Sequence, residues 1–284
     1  MNRTLKPLDA TYRARAIPLG SVRYWSWLFA SAAVRAPLIG VYALLAEWSA
    51  LTDPASEPSA ARIKLAWWQE EIRRLRAGAP IHPIGAYLLS LPRAADVDFA
   101  PLARSVDAAV AETNGAPLER GAELKTQASA LRALPLVLVS RLAAADFDDA
   151  GLGRCVEALA VAEYLARALR DYRREARLGR VPFPVDELLA AGIDNASLCA
   201  AQPTTQLQHY LQQLRDRAAE HYESAARALP AACRAQQRHL LVLTALGLRH
   251  LKQRSATFES LRVQDMLLAW STARRAMNEL QGPR

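Results

Sequence analysis

The chain has 284 residues, 51% of them hydrophobic, with 36 Lys and Arg against 28 Asp and Glu for a net charge of +8. That length can bury one sizeable core, and the dominance of Ala and Leu, with only 12 Gly and few β-branched runs, predicts helix almost throughout. The basic excess favours anionic partners such as diphosphates or anionic lipid headgroups, while the lack of a zinc finger, an RNP signature or a compact helix-turn-helix argues against nucleic acid.

Residues 1–19 read as an irregular lead-in closed by Pro18 and Gly20, without the apolar core of a secretory signal. A long helix is predicted over residues 21–51, where Val34, Leu38, Val41, Leu45 and Trp48 recur at alternating spacings of four and three and form a core-facing seam. Arg35 and Tyr42 share a different face of it. The stretch from Asp53 to Ser59 breaks the helix, and Ser59 is placed to cap the next one, which carries Lys64, Trp67, Trp68, Glu70 and Glu71. Gly78, Pro80 and Pro83 end that helix. Further helices are predicted over residues 84–91, 99–113, 117–145 and 148–177. A proline-containing loop follows, with a short helical turn at 186–190, and then helices at 205–228, 231–253 and 262–280. No repeat and no low-complexity linker marks a boundary, so residues 20–284 read as a single all-α domain.

No apolar segment is expected to reach the roughly 18–20 residues of a bilayer span. The reading is therefore a soluble, cytoplasmic protein that can associate peripherally with a membrane surface. Cys155, Cys199 and Cys233 are widely spaced, without CxxC or CxxH, and read as reduced thiols packed as small apolar residues. No histidines pair at metal-binding spacing, no GxSxG elbow is present, and no GxGxxG follows a strand.

The most informative run extends from Leu169 through Arg170, Asp171, Arg174, Glu175, Gly179 and Arg180 to Pro184. On a helix, Asp171 and Glu175 stack on one face with Cβ atoms about 6 Å apart, so they repel unless a counter-charge sits between them. They lie neither on the apolar stripe of Cys155, Leu159, Ala162, Leu165, Ala166 and Leu169 nor on the polar stripe of Glu163, Arg167, Arg170, Arg174 and Arg177. Instead they continue the line Val161, Tyr164, Ala168, where an apolar wall meets charge. Two counter-charges are available: the neighbouring Arg167 and Arg174, or a hard cation such as Mg2+ that shares its remaining ligands with substrate phosphates.

Three stretches resemble the squalene/phytoene synthase family. The run from Val34 and Arg35 to Tyr42 and Leu44 is similar to the family's Arg-containing approach to its "LYAF" helix. Glu57-Pro58 followed by Ile63 to Ile72, with Trp67 and Trp68, is similar to its "EP... WW" segment. Leu169 to Pro184, with Asp186-Glu187-Leu188 after it, is similar to its second acidic motif. The resemblance implies an isoprenoid synthase-like helical bundle around a central apolar cavity, and Mg2+-dependent head-to-head condensation of two prenyl diphosphates such as farnesyl or geranylgeranyl diphosphate. It implies Asp171 and Glu175 as catalytic metal ligands, with Glu47 as a weaker third. Arg35, Arg170 and Arg180 are implied as diphosphate or structural cations, and Tyr42 and Tyr164 as cavity residues; NADPH use is left open. The family's first motif, DxxxD shortly after "LYAF", is missing: Glu47 and Asp53 stand there about 120° apart around a helix. This pattern is similar to a divergent branch that includes mitochondrial complex I assembly factors. Two readings follow, a prenyltransferase and a non-catalytic assembly or lipid-binding factor that keeps the cavity.

Overall fold

The computed structural model describes residues 8–143, 149–253 and 262–279. Among them no strand is present, and the elements in chain order are α1 (Ala10–Ala16), α2 (Val22–Leu28), α3 (Ala32–Leu51), α4 (Pro58–Arg76), α5 (Pro83–Ser90), a 3-10 turn (Ala94–Asp96), α6 (Pro101–Thr113), α7 (Gly121–Ala128), a π-turn (Ser129–Ala133), α8 (Leu134–Ala143), α9 (Asp149–Arg177), α10 (Val185–Ala190), α11 (Asn195–Cys199), α12 (Thr205–Ala228), α13 (Ala231–Arg234), α14 (Arg238–Gln253) and α15 (Val263–Asn278). The protein is an all-α bundle.

Helix α3 is its axis. The predicted seam of Val34, Leu38, Val41, Leu45 and Trp48 is buried, and Ile39, Tyr42 and Leu44 on the other faces are buried too. A helix apolar all round belongs in the middle of a protein, and each such side chain contributes roughly 1.5–3 kcal/mol on leaving water. Contrary to the expectation that no segment reaches membrane-spanning length, α3 meets it by length and composition; most of its side chains are buried within the bundle. In α4, Ala61, Leu65, Trp68, Ile72 and Leu75 face the same core. Trp68 meets Trp48 edge-on, with ring centroids 5.9 Å apart, and lies 4.6 Å from the His82 ring. The stretch around Tyr42 is therefore core-forming, whereas in the α4 stretch Trp68 packs inward and Ile63 and Trp67 stay exposed.

Several boundaries depart from the sequence reading, each for a local reason. The lead-in is not wholly irregular: Asp9 accepts from the Thr11 amide and caps α1. The cap of α4 is Glu57 rather than Ser59; its carboxylate accepts from the Ser59 and Ala60 amides, and Pro58 occupies the first helical position. The helix predicted over 21–51 is two helices. The carbonyls freed at the break go to arginines: Arg35 donates to Leu28 O at 2.8 Å, and Arg238 of α14 donates to Phe29 O at 2.7 Å and Ala30 O at 3.2 Å. The helix predicted over 117–145 is interrupted by the π-turn. Pro135 has no N–H for the carbonyl of Leu131 four residues earlier, and the Arg132 guanidinium donates to that carbonyl at 3.3 Å.

Cys155 and Cys233 are buried and Cys199 is half-buried; all three are free thiols.

Candidate functional site

The C-terminal end of α9 is built by its stop signal. Gly179 adopts φ 75°, and the Arg180 amide donates to Glu175 O while the Gly179 amide donates to Ala176 O, both at 3.0 Å. This left-handed closure turns the chain back. It sets Arg180 between two other helix ends, where its guanidinium donates to Thr52 O at 2.9 Å and Thr113 O at 3.4 Å. A cation beside C-terminal carbonyls is favoured by their partial negative charge.

Three acids around this corner, Asp171, Asp53 and Glu112, are paired with arginines. Arg170 grips Asp171 with two parallel bonds, Nε to Oδ1 at 2.9 Å and Nη2 to Oδ2 at 2.7 Å. Asp53, just past α3, pairs with Arg174. Partial burial opposes ionisation of Asp53, but the Arg174 and Ala55 hydrogen bonds outweigh it and hold its carboxyl below the ordinary value. The Asp53 hydrogen bond likewise raises Arg174, with the charges of Asp171 and Glu175 adding to it. Arg167 pairs with Glu112 of α6 and lies over the Tyr164 ring, 5.2 Å from its centroid.

Glu175 differs from the other acids. It is only 7% exposed and lines a 130 Å³ cavity with Glu112, Tyr164 and Arg180. Burial pushes its carboxyl above the ordinary value; Glu112 and Asp171 push the same way, against Arg167 and Arg180. Because the folded value lies above the unfolded 4.5, stability falls as pH rises from 4.5 through the folded value and stays lowered beyond it. Glu175→Gln is therefore expected to stabilise the protein by about 1 kcal/mol at neutral pH and to leave it unchanged below pH 4. Thermal unfolding midpoints across that range check this.

Other sequence-selected residues lie elsewhere. Glu47 pairs with Arg15 of α1 at 2.8 Å. Arg35 sits near the start of α3, about 24 Å of helical rise from the end that leads to Asp53. Arg35 is thus too far along α3 to join the Asp171 corner, and the Glu47 carboxylate is engaged by Arg15. Tyr42 is buried in the core, its hydroxyl 2.7 Å from Ser26 Oγ.

A larger cavity of 480 Å³ opens beside α9, walled by α2, the π-turn, α12 and α14. Its apolar wall includes Val22, Ala166, Leu169, Leu243 and Leu251; its charged side carries Arg23, Arg132, Arg167, Arg170 and Arg215 with Glu163. Arg23 stacks over the Tyr42 ring at 5.5 Å, which puts Tyr42 one layer behind the lining. Glu163 is 4.0 Å from Arg132. Burial, reinforced by Arg23 and Arg167, pulls the Arg132 guanidinium down to about 10 against the opposing charges of Glu163 and Glu112, and burial pushes the Glu163 carboxyl up. Gly247 is required at this wall, because a Cβ there would lie 2.5 Å from the Tyr222 ring. Sequence reasoning missed Arg23, Arg132 and Arg215 as cavity residues. Pro135 was the available signal for Arg132, since a proline inside a predicted helix frees a carbonyl and invites a bulge.

A sequence profile described as squalene/phytoene synthase matches residues 20–267. The chain belongs to the squalene/phytoene synthase family. Two crystal structures share the fold of this family member. One is a dehydrosqualene synthase in complex with ligand, with TM-score 0.71 and 15% identity, 96% of each chain being covered. The other is the squalene synthase HpnC from Alicyclobacillus acidocaldarius, with TM-score 0.69 and 21% identity, covering 87% of this chain and 92% of that one. No curated protein sequence matches. The bundle is thus an isoprenoid synthase fold.

Family members are typically Mg2+-dependent, but the donors in this chain do not fit that ion. Among the described residues no three His, Cys, Asp or Glu side chains converge as a metal site. The positions beside Asp171 and Asp53 that a hard cation needs are taken by Arg170 and Arg174. The guanidinium groups give these acids the opposite charge that a metal otherwise supplies.

Proposed function

We propose that this family member binds an anionic isoprenoid, a prenyl diphosphate or its phosphate counterpart, without Mg2+ and without joining two of them. The observation that carries this reading is the pairing of Asp171 with Arg170 and of Asp53 with Arg174. Head-to-head condensation needs a metal-clamped diphosphate leaving group and a dry allylic cation. Here the first acidic motif is missing, and the acids that stand in its place, Glu47 and Asp53, are paired with Arg15 and Arg174. What the chain retains is suited to holding an amphiphile: the 480 Å³ cavity has apolar Val22, Leu169, Leu243 and Leu251 for a prenyl tail, and Arg23, Arg132 and Arg215 on its charged side for the head. Arginine binds phosphate oxygens bidentately and stays charged when partly buried.

The test is equilibrium dialysis of the full chain with labelled farnesyl or geranylgeranyl diphosphate, in EDTA and in Mg2+, alongside a pyrophosphate-release assay. Equal binding in the two buffers and no pyrophosphate above background are expected, with Asp171→Asn leaving affinity within about twofold. Mg2+-dependent pyrophosphate release that Asp171→Asn abolishes would establish the prenyltransferase reading instead.

A further inference from the structure

Helix α15 is apolar on two sides. Its inward side, Ala269, Ala273 and Ala276, is buried and packs against α14 and α2. Its outward side carries Val263, Met266, Leu267, Trp270 and Met277, with Val263 66%, Leu267 52% and Trp270 46% exposed. At about 100° per residue these five fall on one arc of roughly 100°. Charged and polar residues ordinarily occupy that arc in a helix lying on a soluble bundle.

The charges of α15 are sorted in a second way. Its acids are turned away from the outward arc: Asp265 is buried, with Oδ2 2.9 Å from His250 Nε2 and Oδ1 3.1 Å from Arg249, and Glu279 pairs with Arg234 at 2.9 Å. The cations stay outside. Arg274 lies over the Trp270 ring at 5.2 Å, within the apolar arc, and Arg275 is exposed about 80° of helix rotation beyond its edge. A Trp, Met and Leu face edged by arginines, with the acids withdrawn, is the pattern of a helix lying in a bilayer interface, its arginines at the headgroups. A second copy seated on this face would bury Arg274 of both chains with no acid in the arc to pair with it, which disfavours self-association.

We infer that α15 docks this protein onto an anionic lipid bilayer through Val263, Met266, Leu267, Trp270 and Met277, with Arg274 and Arg275 contacting lipid phosphates. The docked face lies one helix away from the 480 Å³ cavity, because α14 and α2, on which α15 packs, supply Leu243, Gly247, Leu251, Val22 and Arg23 to its wall. The docking face stands whether or not that cavity holds an isoprenoid.

Flotation of the full chain with phosphatidylcholine vesicles, with and without phosphatidylglycerol, tests the inference. Binding to the phosphatidylglycerol vesicles is expected. The double substitution Leu267→Ser with Trp270→Ser should weaken it at least about tenfold, and Arg274→Glu about fivefold on the anionic vesicles only. Circular dichroism verifies folding; if the double variant is unfolded, Arg274→Glu alone decides. No binding to anionic vesicles overturns the inference. So does a dimer in sedimentation velocity that the same double substitution dissociates, since a second copy would then cover this face.

Discussion

Arg167→Ala is expected to cost about 3–5 kcal/mol of folding free energy, read from urea unfolding. Arg167 pairs with Glu112 and offsets the charge of Glu175, with Tyr164 under its guanidinium. Without it, two carboxylates line the same 130 Å³ cavity, whose remaining lining cation is Arg180. An uncompensated buried charge costs several kcal/mol, whereas removing both members of such a pair is nearly neutral. Adding Glu112→Gln to Arg167→Ala should therefore restore most of the loss. Total stability of a domain is about 5–15 kcal/mol, so the single variant is marginal. The sign of its pH dependence follows from the same geometry. Losing the cation raises the folded-state value of Glu175 further, so the deficit is larger at pH 8 than at pH 5. A loss under about 1 kcal/mol would show the pair to be solvated and energetically idle.

The second large effect concerns ligand. Arg132→Glu is expected to weaken binding of farnesyl diphosphate about 100-fold, roughly 2.7 kcal/mol, with no dependence on Mg2+. The substitution removes a guanidinium that faces the cavity and places a second carboxylate near Glu163. It also removes the bond to Leu131 O, so Arg23→Gln, which leaves the π-turn untouched, serves as a parallel variant and should lose about tenfold. Unchanged affinity in both variants would place the ligand elsewhere.

The acidic pair itself was legible in the run from Leu169 to Pro184, because two acids one turn apart ahead of a Gly stop fix both their common face and the reversal that follows. The competition for them was legible too: Arg174 was one of two arginines singled out beside Asp171. Its partner was not, since Asp53 is more than a hundred residues away in the chain and meets Arg174 only because α3 and α9 end at the same corner. Arg170 was expected at a diphosphate, yet it grips its neighbour Asp171. Adjacent helix positions point about 100° apart, and only the flexible guanidinium stem closes that gap. Glu112 carried no local mark at all.

By itself the sequence determined the bundle. Ala and Leu richness, the seams of α3 and α4, the α9 and α12 stretches and the glycine and proline stops are local or periodic signals, and helices form from such signals with little reference to the rest of the chain. The tertiary structure decided which cations meet which acids, where the π-turn sends Arg132, and that α15 leaves an apolar face uncovered. Those outcomes depend on the order and angle in which helices pack, a set of long-range contacts that hydrophobic spacing does not encode.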